Sequence, residues 1–231
     1  MRRFSILLLT VIGTSAAAAT ALAAPSPEQQ LAAMRGAVRS RHSVHYVSHY
    51  ASPYGDHDVR MICDVGKGVG IQRITVTDGR KTGPASVVVT GRKAYVQGNA
   101  FTMEVYFGFT SAQAKKFAGR WISIPHAHYG FSTFAAGATY ALFVRDLFPQ
   151  TNLSLIGSAQ LVGVGGTGTL ADLSKVYERT LAPKHGTPLP AKQTVIFGGD
   201  GGQTVTKMSR WNEPVRVTAP ANAVPISKLG G

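Results

Sequence analysis

Between about Ser43 and Gln97 the sequence alternates apolar and polar residues with a period of two, and glycine-centred turns interrupt the alternation at short intervals. In Val59-Arg60-Met61-Ile62-Cys63-Asp64-Val65 one face collects Val59, Met61, Cys63 and Val65, while the other is mostly polar. Residues 71–77, 85–90 and 93–97 continue the pattern, separated by Gly66-Lys67-Gly68, Asp78-Gly79 and Gly91-Arg92. Side chains of a strand point alternately to the two faces, so each run has one buried face, and turns this tight join only antiparallel neighbours. The chain is thereby committed to an antiparallel sheet with one apolar side.

The flanking segments supply a cover. Ser26-Pro27-Glu28-Gln29 reads as a helix start, with Ser at the N-cap, Pro at the first helical position and Gln29 placed to complete a capping box. Leu31, Met34 and Val38 follow at helical spacing. From Ala100 to about Phe148 the chain turns aromatic and Ala-rich, which predicts several short helices with loops. Strands resume at residues 153–164, 176–181, 193–197, 204–209 and 215–218. Sheet, helices, then sheet with short connections argues α+β rather than alternating βαβ units. The expected organisation is a leader at residues 1–24, a single domain at 25–218 and a small, Pro-containing, mobile tail at 219–231.

Composition agrees with a folded chain: 231 residues, 44% hydrophobic and 15% charged. A core of this size needs neither disulfide nor structural metal, and Cys63, the single Cys, has no partner to bridge with. Arg2 and Arg3, the apolar run from Ile6 to Ile12, and the small-residue stretch ending Ala21-Leu22-Ala23-Ala24-Pro25 follow the order of a secretory signal peptide. Cleavage after Ala23 or Ala24 leaves +11 of the net charge of +13. An uncleaved anchor over residues 4–24 and a twin-arginine signal stay open as alternatives. No Cys lies near the cleavage point, so export without a lipid anchor is expected.

Signals for chemistry are weak. Gly163-Val164-Gly165-Gly166-Thr167-Gly168 matches G-x-G-x-x-G, yet no βαβ unit surrounds it, and no acid stands in Ala182-Pro183-Lys184-His185-Gly186 to hold a ribose. It is read as a flexible turn between a strand and a short helical piece, and Gly198–Gly202 as a hairpin loop. His45 and His49 share a strand face but stand roughly 13 Å apart, too far for one ion. His126 and His128, about 7 Å apart if extended, are close enough for joint ligation, with His42 or Asp56 as a third ligand, but they read better as exposed loop histidines. There is no G-x-S-x-G, H-E-x-x-H or S-x-x-K set. Cys63 reads as a small core hydrophobe. No enzyme activity, no cofactor, no metal and no nucleic-acid partner are expected.

The N-terminal helix, the glycine-punctuated meander with Gly91-Arg92-Lys93-Ala94-Tyr95-Val96-Gln97-Gly98, then Ala118-Gly119-Arg120-Trp121-Ile122-Ser123-Ile124-Pro125, Gly186-Thr187-Pro188-Leu189-Pro190 and Arg210-Trp211-Asn212-Glu213-Pro214-Val215 carry a resemblance. Over roughly residues 26–226 the chain resembles the LppX/LprG-type lipoprotein family, which shares its fold with the Lol-type lipoprotein carriers. The resemblance implies an antiparallel half-barrel wrapped over helices, with a hydrophobic cavity that holds acyl chains of lipids in transit. The family's usual acylated N-terminal Cys has no counterpart in this sequence.

The resulting expectation is a secreted, non-enzymatic binder of lipid or of an acylated ligand, acting as a shuttle in the cell envelope. Its cavity would be lined by Val59, Met61 and Cys63 of the strand face with Phe101, Phe107, Trp121, Phe134 and Phe143 of the helical middle. The alternative is a basic envelope module whose charge binds an anionic membrane surface or envelope polymer without a functional cavity.

Overall fold

A computed structural model describes residues 25–169, 175–199 and 201–229, so the leader at 1–24 lies outside the described residues. Helix α1, Pro27–Arg39, begins as its sequence predicts. Ser26 accepts from the Gln29 backbone, the Gln29 side chain returns to the Ser26 backbone, and Leu31, Met34 and Val38 are buried. The period-two region then forms β1 (Ser43–Ala51), β2 (His57–Gly66), β3 (Val69–Asp78), β4 (Lys81–Thr90) and β5 (Lys93–Gly98). These pair in sequence, each antiparallel to the next.

The middle holds α2 (Ala100–Val105), α3 (Ser111–Phe117), α4 (Phe131–Phe134) and α5 (Tyr140–Arg145), and between them the sheet gains β6, Ile122–Pro125. This strand is hidden among helical residues. Its signal is two residues, Ile122 and Ile124, both fully buried, and β5 fixes its register through Lys93 opposite Pro125.

The second half adds β7 (Thr151–Gly157), β8 (Leu161–Thr169), β9 (Lys175–Pro183), β10 (Lys192–Phe197) and β11 (Gln203–Ser209). Residues 153–164 are therefore two strands, not one. Ser158 folds them back, its N–H donating to Leu161 O at 2.8 Å, a turn with no Pro or Asn-Gly to announce it. The glycine run is likewise strand and not turn. A β-carbon on Gly163 would stand 1.9 Å from Thr180 O, on Gly166 2.5 Å from Thr151 O, and on Gly168 2.3 Å from Glu178 Oε1. Glycine is needed in β8 because the backbones of β9 and β7, and the Glu178 side chain, press against it. The helical piece expected to follow falls mostly in 170–174, outside the described residues.

Residues 215–218 form no strand. They cross the outer face beside Ile71 and Val88, and Val215 fills the space next to Gly66, where an added β-carbon would meet it at 3.2 Å. The tail does not trail free: β12, Val224–Pro225, pairs in parallel with β6, Val224 is only 8% exposed, and a 3-10 turn follows at Ile226–Leu229. The small composition of 219–231 conceals this docking because one pair of residues carries the strand.

One sheet thus runs β12-β6-β5-β4-β3-β2-β1-β11-β10-β9-β8-β7, antiparallel except at β12, and its ends do not meet. It is the expected α+β half-barrel: an open antiparallel sheet, one domain, with the helices on its apolar side. That side holds two clusters. One gathers Val59, Ile74, Val76, Val87, Met103 and Phe117 under β2–β6. The other gathers Met34, Val44, Tyr46, Cys63, Phe143 and Val164 under β1, β2, β8 and α1.

Candidate functional site

The helical layer is anchored to the sheet along a polar seam between the clusters. Tyr46 OH donates to Gly137 O at 2.9 Å, and Gln72 Nε2 donates to Tyr46 OH and to Ala136 O, both at 3.0 Å. Buried groups of this kind must be paired, which pins residues 136–138 against β1 and β3. Ala135 and Ala138, both 0% exposed, let the backbone come this close.

Local sequence sets the aromatic residues beside that seam. Asn99 caps α2 by accepting from Thr102 N–H, and Gly108, at φ +72°, reverses the chain after it so that Phe109 N–H donates to Met103 O. Thr110 and Gln113 then form a capping box that starts α3. Phe107 and Phe109 are thereby held facing α4, where the Phe134 ring stacks on Phe109 at 5.9 Å and tilts against Phe107 at 6.2 Å.

These rings form one wall of an open groove of ≈ 880 Å³. Pro225, Ile226 and Leu229 of the tail form another, while Lys93, His128 and Tyr129 stand among its polar and amphipathic lining. The tail is fastened there by Val224 N–H donating to Trp121 O at 2.8 Å and by Gln113 Nε2 donating to Leu229 O at 3.3 Å. The groove's size lies in the range of small-molecule sites, and its aromatic and aliphatic wall suits an apolar ligand.

The sequence-predicted cavity residues are distributed as follows. Phe107 and Phe134 line the groove. Val59 is buried in the adjoining cluster, and Phe101 packs against it. Cys63 and Phe143 belong to the second cluster, Phe143 stacking on Tyr46 at 4.5 Å, and Met61 touches both. Trp121 is half-buried just before β6. Phe109, Pro225, Ile226 and Leu229 are groove residues that the sequence does not single out. Phe109 is one of many aromatics in the stretch 100–148, and the tail residues leave only the short apolar Val224-Pro225-Ile226 and Leu229 as a trace.

Other candidate groups are structural. Burial pushes the Cys63 thiol up to about 12, so it stays protonated and non-nucleophilic. His45 Nδ1 lies 2.8 Å from Asp64, and His49 pairs with Asp58. The His126 ring packs on Phe131 and His128 on Tyr129. Among the described residues no group of three His, Cys, Asp or Glu is placed to hold a metal ion. A second recess, ≈ 450 Å³, lies on the outer face beneath residues 213–218 and is polar, with Asp64 contacted by both His45 and Arg210.

No family model matches the sequence, and no curated protein does. Among solved structures, the chain is similar to LprF from Mycobacterium bovis, with 15% identity, a TM-score of 0.50, and coverage of 86% of this chain and 100% of that one. It is also similar to the Mycobacterium tuberculosis lipoprotein LppX, with 14% identity, a TM-score of 0.46, and coverage of 82% and 96%. The fold expected from the resemblance is the fold observed, an open antiparallel half-barrel shared with LprF.

Proposed function

We propose that this chain is a non-enzymatic, extracytoplasmic lipid-binding protein that takes acyl chains of a lipid or acylated ligand between its sheet and helices, and shuttles them in the cell envelope. The observation that carries the reading is the groove walled by Phe107, Phe109, Phe134, Ile226 and Leu229. The half-barrel shared with LprF supports it, as does the leader-like sequence of residues 1–24. Each buried methylene contributes about 0.8 kcal/mol, so a few in a dry groove give useful affinity without a specific polar contact. Phe107 and Phe134 are the proposed contacts. The remaining sequence-predicted residues, Val59, Met61 and Phe101, and beyond the seam Cys63 and Phe143, support that wall from behind, and Trp121 holds the tail through its backbone carbonyl.

The test is mass spectrometry of organic extracts from protein purified out of a native-like host, beside thermal melts of two charge variants. Wild type should carry lipid. Phe134→Glu, placed in the groove wall, should lose it while still melting cooperatively; Met61→Glu, wedged between both clusters, should melt far lower. Lipid-free wild type, or unchanged lipid in Phe134→Glu, would sink the reading.

A further inference from the structure

The strand register sorts the charges to the two ends of the sheet. The β2–β3 and β4–β5 turns lie at one end and touch, Gly91 N–H donating to Gly68 O at 3.1 Å. They carry Lys67, Arg92 and Lys93, all exposed, and among the described residues none of the three makes an ion pair. Pro125 of β6 pairs with Lys93, so the loop that follows it, Pro125–Tyr129, belongs to the same end; His126 N–H donates to Arg92 O. Asp64, three residues before Lys67, is already bridged to Arg210 at 3.1 Å, and Glu213 lies 3.7 Å from the same Arg210. At the opposite end, the β1–β2 and β3–β4 turns place Asp56 and Asp78 beside Arg80 and Lys81, which cancels much of the charge there.

One more residue distinguishes the basic end. Tyr129, 95% exposed, lines the groove together with Lys93, and Pro125 and Ala127 are also exposed. A polyphosphate has no apolar surface and gains little from the exposed Tyr129 ring, which packs beside His128 at 4.6 Å. A bilayer interface does: cations meet the headgroups while Tyr sits at headgroup level, its ring half in the apolar region.

From this juxtaposition we infer that the Lys67/Arg92/Lys93 turns and Tyr129 form a docking face for an anionic lipid bilayer. The protein then stands with the groove mouth against the membrane. The inference goes beyond ligand binding and rests on charge placement, and its assay does not read groove occupancy, so either reading can fail alone.

Vesicle sedimentation tests it, with phosphatidylcholine alone against an equal mixture of phosphatidylcholine and phosphatidylglycerol. Each basic residue at such a surface contributes about fivefold in partition, so Lys67→Gln/Arg92→Gln/Lys93→Gln should bind the anionic vesicles on the order of a hundredfold more weakly. Arg80→Gln/Lys81→Gln should bind within severalfold of wild type. All five positions are exposed, so folding is preserved. A second readout locates the contact. Cys63 is buried, so Tyr129→Cys and Arg80→Cys each offer a single reactive thiol for an environment-sensitive fluorophore. The label at 129 should shift to the blue on anionic vesicles and the label at 80 should not. No binding to anionic vesicles, equal losses at both ends, or tight polyphosphate binding with an unshifted label at 129 would each overturn the inference, the last in favour of a polymer.

Discussion

Gly70 on β3 and Ala138 in the helical layer meet backbone to backbone: a β-carbon on Gly70 would lie 2.1 Å from the Ala138 carbonyl oxygen. The contact adjoins the polar seam of Tyr46, Gln72 and Gly137, so backbone packing and buried hydrogen bonds together fasten the helical layer to the sheet. Interior close packing leaves a backbone carbonyl at that distance no room to yield without moving α4 and α5.

Gly70→Ala should therefore cost about 2–3 kcal/mol, the usual penalty for overpacking a filled interior. Gly36→Ala is the counterpart: it is an exposed helical glycine with nothing within 4 Å, and the change should gain about 1 kcal/mol from helix propensity. Urea denaturation of the two variants reads both signs. Equal shifts would show that the seam is loose.

Stability should fall as pH rises from about 4.5 to about 7. Glu178 on β9 is 3% exposed, one of its carboxylate oxygens has no hydrogen-bond partner, and burial, aided by the negative charge of Asp146, raises its pKa to about 7. The folded state thus holds a proton that the unfolded chain has already released. Its stabilisation is full below the unfolded value near 4.5 and is lost as pH climbs to the folded value, a cost on the order of 3 kcal/mol above pH 7. Glu178→Gln should flatten the slope and be the more stable protein at about pH 8. A slope that survives in the variant would assign it to other groups.

What sequence alone reveals here is what local chemistry dictates. Ser26 and Gln29 cap α1 within four residues, and the turns at Lys67-Gly68, Gly79 and Gly91 are set by residues that tolerate positive φ, so these elements are readable one by one. The β8 glycines exist because Thr180, Thr151 and Glu178 press against them, a tertiary demand that looks in sequence like a flexible turn. The groove is harder still. Phe109 and Leu229 stand 120 positions apart in the chain, and the tail reaches the aromatic wall through the two-residue pairing of Val224–Pro225 with β6 and the Gln113 bond to Leu229 O.

Cys63 should be inert in the native protein. It is 0% exposed, and its thiol is held near 12 by burial, so the reactive thiolate is scarce as well as shielded. Reaction with a water-soluble disulfide reagent should run at least on the order of a thousandfold slower than in urea, because it waits for unfolding. Labelling at the rate of a free thiol would place Cys63 on an accessible wall.

The tail should act as a wall of the groove, and ending the chain at Ala223 tests this. Truncation removes the Val224 hydrogen bond to Trp121 and the Ile226 and Leu229 side chains, uncovering the edge of β6 and the flank of Phe107 and Phe134. Losing one buried Val and two partly buried residues should cost a few kcal/mol, seen as a lower melting temperature. The newly bared aromatics should raise the fluorescence of an added hydrophobic dye. Ile226→Ala/Leu229→Ala separates the two effects: Val224 keeps its strand pairing, so the melt should fall less, while the opened groove should still bind more dye and release an acyl ligand faster. If truncation leaves both the melt and the dye signal unchanged, the tail forms no wall, and the groove is bounded by Phe107, Phe109 and Phe134 alone.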